Sequence, residues 1–109
     1  MTIFNKGAGK APIQCCKGTD EFDTSSAVVD HLCAFYGITL TTDYINDVTL
    51  NIYDNASLVG GKKLIPQRIV KADEGIFNIF YAIPKIAYNG VYVSCICSGI
   101  YKYTVEYDD

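Results

Sequence analysis

The sequence predicts an all-β fold, an antiparallel β-sandwich of the jelly-roll or immunoglobulin-like kind with about seven or eight short strands. The first observation is that apolar residues recur at every second position after His31, which is the spacing of half-buried strands. The second is that clusters of Gly, Pro, Asn, Asp and Ser separate these runs at short intervals. The chain has 109 residues, a length that fits one domain.

Residues 1–23 differ from the rest of the chain. Glycines and Pro12 interrupt this segment, and no apolar period persists through it. We interpret it as an extended N-terminal arm with one short strand near Ala11–Cys16, ahead of a sandwich domain over residues 24–109. Arms of this kind dock on a neighbouring molecule or are loose termini.

The first part of the predicted domain contains one ambiguous segment. Thr24–Ser26 has the polar residues of a helix N-cap, but the valines that follow favour a strand or loop. In Leu32–Thr41 the alternation places the even-numbered residues from Leu32 to Leu40 on one face. Val48–Tyr53 is a second alternating strand, and it ends in the turn-forming cluster Asp54–Ser57.

The second half of the chain continues the pattern. Pro66 places Leu64–Val70 at a sheet edge or in a broken strand. Two short apolar runs then meet at a bend near Pro84. Asn89–Gly90 predicts a two-residue type I′ hairpin that joins Tyr88 to the strand beginning at Val91. In the last strand apolar and polar residues alternate strictly: Tyr101, Tyr103, Val105 and Tyr107 against Lys102, Thr104 and Glu106.

The composition favours a protein that covers part of its surface with a partner. Half of the residues are hydrophobic and only 19% are charged, against a usual charged share of about 25%. A small domain that exposes its whole surface to water needs more charge than this. Nine tyrosines suit an interface, because each combines an apolar ring with a hydroxyl, although tyrosine is also common in strands.

Charge and hydropathy argue against two classes of partner. The net charge is −3, and the densest basic group, from Lys62 to Lys71, is better explained as a solvated loop than as a phosphate track, so we expect no nucleic-acid partner. No apolar stretch approaches the ~18 residues needed to cross a bilayer, so we expect no membrane partner. Because Met1–Lys6 does not begin a secretory signal, we expect the chain to stay in the cytoplasm where it is made.

The cysteines and the single histidine predict neither a metal site nor a catalytic site. Five cysteines, including the adjacent pair Cys15 and Cys16, make a poor disulfide framework, so we expect reduced thiols that behave as small apolar residues. His31 is the only imidazole, and no nucleophile or phosphate-loop motif is present. We therefore expect no cofactor and no enzymatic activity. A small enzyme would require His31 and two carboxylates to share a cleft.

The strand Val48–Tyr53 with the turn Asp54–Ser57, the Asn89–Gly90 turn and the closing strand Tyr103–Tyr107 follow one another in an order that resembles a group of small tailed-bacteriophage virion proteins. In that group a strand ending in IYDNAS precedes an NGLYV hairpin and a terminal TVYY-like strand, and this chain resembles it over roughly residues 30 to 107. Val91 stands where the group commonly has Leu, and the N-terminal arm has no counterpart in it. The segments that carry the resemblance are Val48–Ser57, Ile83–Pro84, Asn89–Val93, Ser98–Gly99 and Tyr103–Tyr107.

The resemblance implies a β-sandwich-like protein of the virion, located on the capsid surface as a head decoration, cement or head-fibre component. Its partners would be the major capsid protein or other virion proteins, and further copies of itself in a homo-oligomer, a trimer included. The alternative is a head-fibre or tail-fibre module that binds a host surface glycan. The tyrosines of the last strand would contact partners if their face lies outward; the competing interpretation places them in the core. The residues that we predict to make contacts are Phe4, Ile13, Phe22, Tyr101, Tyr103 and Tyr107.

Overall fold

The computed structural model describes residues 17–109, and its fold is all-β, as predicted. Eight strands form two four-stranded antiparallel sheets that pack face to face. A single 3₁₀ turn, Ala72–Glu74, lies between the fifth and sixth strands. The strands are β1 (Lys17–Gly18), β2 (Ser26–Val29), β3 (Cys33–Thr42), β4 (Val48–Tyr53), β5 (Lys63–Val70), β6 (Ile76–Ala87), β7 (Val91–Ile96) and β8 (Tyr101–Asp108).

The order of the strands identifies the sandwich as a jelly roll. Sheet A has the order β1-β8-β3-β6, and sheet B has the order β2-β7-β4-β5. The first strand therefore pairs with the eighth, the second with the seventh, the third with the sixth and the fourth with the fifth, as in one long hairpin that has been rolled up. Of the two kinds of sandwich that the sequence left open, the jelly roll matches this order.

The core lies between the two sheets and consists of inward-facing residues, most of them from the central strands β3, β4, β7 and β8. Alternation along each strand sends one set of side chains inward and leaves the polar set outside. The burial of each large apolar side chain stabilises the fold by about 1.5–3 kcal/mol, and together these contributions are the main source of its stability. Twelve core residues are at most 1% exposed: Phe35, Ile38, Leu40, Val48, Leu50, Ile52, Val70, Ala87, Val91, Val93, Tyr103 and Val105.

Two β-bulges change the predicted pattern in sheet A. The pairing of β3 with β8 passes from Phe35 directly to Gly37, so Tyr36 is an extra residue on the β3 side. The extra residue reverses the alternation, so the prediction that Leu32 and Ile38 share a face was wrong: Leu32 is exposed and Ile38 is buried. On its other side β3 pairs with β6, where residues 81–84 bulge out at the bend predicted near Pro84.

Asn89–Gly90 does not form the predicted hairpin. β6 belongs to sheet A and β7 to sheet B, so these residues carry the chain from one sheet to the other. Gly90 has φ +135° and packs so closely against the backbone carbonyl of Val29 that any Cβ would collide with it. Asp54 fixes the preceding residues, because its buried carboxylate accepts hydrogen bonds from the backbone N–H groups of Tyr88 (3.1 Å) and Asn89 (2.7 Å). Position 90 therefore does require glycine, but the reason is the passage of the chain between the two sheets and not a hairpin turn.

Two predictions about local structure are confirmed, and one boundary shifts. Ser26–Val29 is a strand and not a helix. β5, which contains Pro66, lies at the edge of sheet B. Lys17–Gly18 and Phe22 pair with β8, so this part of the predicted arm belongs to sheet A. The strand predicted near Ala11–Cys16 lies outside the described residues.

Candidate interaction surfaces

The structure places Tyr101 and Tyr103 in the core, which corrects the expectation that they contact a partner. Tyr101 is 9% exposed and Tyr103 is 1% exposed. The Tyr103 hydroxyl donates a hydrogen bond of 2.7 Å to the carbonyl oxygen of Thr24, so burial leaves no polar group of this side chain unpaired. The tyrosine face of β8 points inward because the alternate residues are polar and solvated, as the competing interpretation held.

The other predicted contact residues divide in the same way. Phe22 stacks on the Tyr103 ring of its own chain, with centroids 5.5 Å apart, and its backbone bridges to the same residue. Tyr107 is half-buried against the core. Both therefore take part in the internal packing of sheet A, and their contact with partners stays a prediction. Phe4 and Ile13 lie outside the described residues.

Large apolar side chains are instead exposed on the loops at one end of the sandwich. Tyr44 and Ile45 belong to the β3–β4 loop, and Ile100 belongs to the β7–β8 turn. Their exposed fractions are 70%, 80% and 68%. We call these three residues the tip. Exposed apolar groups of this size on neighbouring loops are typical of a surface that a partner covers.

One carboxylate holds the two loops of the tip together. Asp43 accepts hydrogen bonds from the backbone N–H groups of Ile45 and Asn46, both at 2.8 Å, and from that of Ile100 at 3.2 Å. The side-chain amide of Asn46 also donates to it, at 3.0 Å. These bonds, led by those from Asn46, hold the pKa of Asp43 far below its usual value, so the carboxylate stays ionised. The tip is therefore fixed before any partner binds.

Tyr44 has a strained backbone conformation, which the surrounding contacts hold in place. Its φ of 66° lies in the left-handed region, which costs a non-glycine residue about 1–2 kcal/mol. The Tyr44 ring packs onto Gly75, where a Cβ would collide with it. Gly75 in turn accepts a hydrogen bond from the backbone of Thr42 at 2.8 Å, so the β5–β6 turn braces the same loop. Strain that is maintained by several contacts is common where a side chain has a function.

The open side of the sandwich, between β5 and β6, is a second apolar surface. Both strands are sheet edges, and an apolar cavity of about 240 Å³ lies between them. Arg68 covers part of it, with its guanidinium 4.8 Å from the centroid of the Phe77 ring and 3.7 Å from Glu74. On the outer side of β6, Ile76 and Phe80 are each 56% exposed.

A groove at the opposite end of the sandwich is basic. It has a volume of about 380 Å³, and its lining includes Lys62, Lys63 and Lys85. Asp54 and Tyr88 also line it, but the Asp54 carboxylate is already bonded to the backbone of the β6–β7 crossover. No ion pair of these lysines is found within residues 17–109.

His31 takes part in a small ionic network with two carboxylates, those of Asp30 and Asp109. Its Nδ1 lies 2.9 Å from Asp30 Oδ1, and its Nε2 lies 2.9 Å from Asp109 Oδ2. Asp109 is also bonded to Lys17 of β1 at 2.5 Å. The hydrogen bond to Asp30, and then the one to Asp109, raises the pKa of His31 above 6.5. The network ties the end of β8 to the β2–β3 loop and to β1.

The three cysteines within residues 17–109 pack as apolar groups, as the sequence predicted for them. Cys33 is buried, and Cys95 and Cys97 both pack against the core. Burial raises the pKa of Cys33 to about 11 and that of Cys95 to about 12, so both are protonated at neutral pH. Within residues 17–109 no group of three or more His, Cys, Asp or Glu is placed to hold a metal ion. The same part of the chain contains no helix that is long and apolar enough to span a membrane.

Sequence reasoning missed the tip, because each of its residues is ordinary when considered alone. The pattern Asp43-x-x-Asn46 was a detectable signal, since a side chain that bonds to backbone groups two and three residues on is a common loop device. The bond from Ile100 to Asp43 joins residues 57 positions apart, and no local pattern reveals it. Comparison with protein-family models, with curated proteins and with solved structures gives no match.

Proposed function

We propose that this chain is an auxiliary structural protein of a tailed-bacteriophage virion, a decoration or cement protein that acts by covering other protein surfaces. The observation that carries the proposal is the tip: three exposed apolar side chains on two loops that Asp43 holds in place. A fixed apolar projection binds a complementary pocket without first having to be ordered, so less of the binding free energy is lost. The major capsid protein is the proposed partner.

Two further features support this assignment. The segments that resemble phage virion proteins include Val48–Ser57, which contains β4, and Tyr103–Tyr107, which lies in β8; these are central strands of sheets B and A. Jelly rolls are common in viral capsid proteins, although the fold by itself assigns no function. A capsid also offers many identical binding sites, so the avidity of an oligomer can be high even when each copy binds weakly through a tip of three residues.

Binding to capsids tests the proposal directly. The full chain is mixed with capsids of the phage that encodes it, purified from a mutant that lacks this protein, and cosedimentation is measured. We expect saturable binding that Ile45→Glu and Ile100→Glu each weaken about tenfold or more, since each places a charge in an apolar contact. Ser57→Glu, on an exposed loop at the opposite end, is the matched control. If the wild-type chain does not cosediment, or the control binds as weakly as the tip variants, the proposal fails.

Glycan binding is the second candidate, and one feature favours it. Tyr53 and Tyr92 are cross-strand partners on the outer face of sheet B. Beside them the buried side chain of Asn51 donates a hydrogen bond of 3.3 Å to the exposed amide of Gln67, so one exposed amide group lies near two aromatic rings. Sugars stack on rings and bond to amides in such surroundings. An array of bacterial surface polysaccharides, probed with the wild-type chain and with Tyr92→Ala, tests this candidate; binding that the substitution leaves intact rules this face out.

A further inference from the structure

We propose that two copies of this chain associate edge to edge through β6, which joins their A sheets into one continuous eight-stranded sheet. The inference deepens the proposed function and rests on it, because it names one of the protein contacts by which such a protein assembles. It concerns self-association, whereas the tip concerns the capsid. The two contacts lie on different parts of the molecule and can be tested separately.

The first part of β6 is an edge that lacks the usual protection against pairing. Ile76–Tyr81 has the sequence IFNIFY, six residues of high β-propensity with no charge and no proline. Within residues 17–109 no strand pairs with its outer side. Exposed edges are normally protected by charged residues, proline or bulges, and in β6 these come later, at residues 81–84 and Lys85. The unprotected segment is thus ready to pair with another strand.

The side chains of this segment are complementary to themselves in an antiparallel pairing. A two-fold axis perpendicular to the sheet keeps corresponding faces on the same side, so paired residues must face the same way. If Asn78 lies opposite Asn78 of the second copy, Ile76 meets Phe80 on the outer face. On the inner face Phe77 then meets Ile79. A register centred on Ile79 would instead oppose Phe80 and Asn78, which mixes apolar and polar groups.

The charges at the two ends of β6 favour the same antiparallel arrangement. At its start, Arg68 is paired with Glu74 and Lys71 with Asp47, and Asp73 remains exposed. At its other end lies the basic groove of Lys62, Lys63 and Lys85. An antiparallel pairing brings the acidic start of each copy towards the basic end of the other, whereas a parallel pairing would bring like charges together.

The proposed pairing also accounts for the open side of the sandwich. The cavity between β5 and β6 is lined by apolar groups that include Phe77, Ile79 and Tyr81. A second copy placed beside β6 would cover this cavity together with the exposed Ile76 and Phe80. Backbone hydrogen bonds and apolar burial would then act at one continuous surface, as in other cases of strand addition.

Sedimentation velocity of the full chain over a wide concentration range tests the inference. We expect a reversible monomer–dimer equilibrium. Asn78→Asp places two carboxylates at the two-fold axis while nearly preserving the shape of the side chain, so the dimer Kd should rise about tenfold or more. Thr41→Asp adds the same charge to the same outer face one strand away from the edge, and its Kd should stay within about twofold of wild type. Circular dichroism and thermal melting establish that both variants fold.

Hydrogen exchange supplies the second measurement. Amides within Ile76–Tyr81 should become more protected as the concentration of the wild-type chain rises, and this gain should be lost in Asn78→Asp. A wild-type chain that stays monomeric, a trimer, or protection that appears only elsewhere would overturn the inference, even if a foreign peptide binds this edge. Ile45→Glu should dimerise like wild type, so loss of capsid binding and loss of dimerisation are distinguishable.

Discussion

Removing the Tyr103 hydroxyl should weaken the fold by a small and calculable amount. Tyr103→Phe keeps the buried ring, including its stacking on Phe22, and deletes only the 2.7 Å hydrogen bond to Thr24. Such a bond contributes about 0.5–1.5 kcal/mol, and we expect the lower half of this range because Thr24 is exposed and water can reach its carbonyl. For a domain of this size each 1 kcal/mol lowers Tm by about 4–8 °C.

Removing the whole ring should have a much larger effect. Tyr103→Ala leaves a cavity among side chains that are almost completely buried, which costs about 3–5 kcal/mol. The total stability of a small domain is about 5–15 kcal/mol, so this variant should be close to unfolding. A double-mutant cycle with Phe22→Ala isolates the contact between the two rings, for which we expect a coupling of about 0.5–1.5 kcal/mol.

Urea unfolding at a protein concentration low enough to keep the chain monomeric measures these differences. Tyr44→Phe is the matched control, because it is the same change at a tyrosine that is 70% exposed, and it should stay within about 0.5 kcal/mol of wild type. A loss below about 1 kcal/mol for Tyr103→Ala would refute the reasoning. It would mean that the tyrosine face of β8 is not in the core and is available to a partner after all.

Three further predictions concern acid–base behaviour, thiol reactivity and packing. Because Asp30 and then Asp109 raise the pKa of His31, its contribution to stability is complete below about pH 6.5 and disappears as pH rises through the raised pKa. Melting temperatures from pH 5 upward should show this loss in the wild type and not in His31→Gln, and equal slopes would contradict it. The Cys95 thiol, with a pKa of about 12, should react with iodoacetamide far more slowly in the folded chain than in urea, as measured by peptide mass spectrometry; equal rates would contradict its burial. Gly37→Ala should destabilise by more than about 3 kcal/mol in urea unfolding, since its Cβ would collide with a backbone carbonyl of β6, and a loss below 1 kcal/mol would show that the strands separate easily.

The sequence was sufficient to predict the fold class and the strands with strict alternation. In β4 and β8 the apolar residues of one face alternate with mostly polar residues, so the two-residue period is clear in the sequence of both. The sequence was insufficient to predict which residues of β3 face the core, because the bulge at Tyr36 adds one residue and reverses the alternation. The bulge depends on pairing with a strand more than sixty residues away, which local periodicity does not register.

The same limit explains why the candidate contact surfaces were misplaced. Tyrosine is equally suited to a core and to an interface, and what decided the case for Tyr103 was a partner for its hydroxyl on a distant loop. Asn89–Gly90 met the local requirement of a hairpin, but the rolled order of the strands sends the next strand into the other sheet. The tip and the β6 edge could not be predicted either, because the order of the strands determines which loops meet and which strand lies at the edge of a sheet.

The nested pairing of the strands also determines the order in which the chain can fold. Within residues 17–109 only β4 and β5 are joined as a local hairpin, while β1 and β8 are separated by nearly the whole of that sequence. Closing ever larger loops is entropically costly, and folds dominated by such distant pairings form slowly, in about milliseconds to seconds. Sheet A has β8 between β1 and β3, so it cannot be completed until synthesis has passed Asp108. On the ribosome, therefore, the other strands of this sheet must wait until β8 has been synthesised, and a chain that stops before Tyr101 would leave β3 without one of its two neighbours.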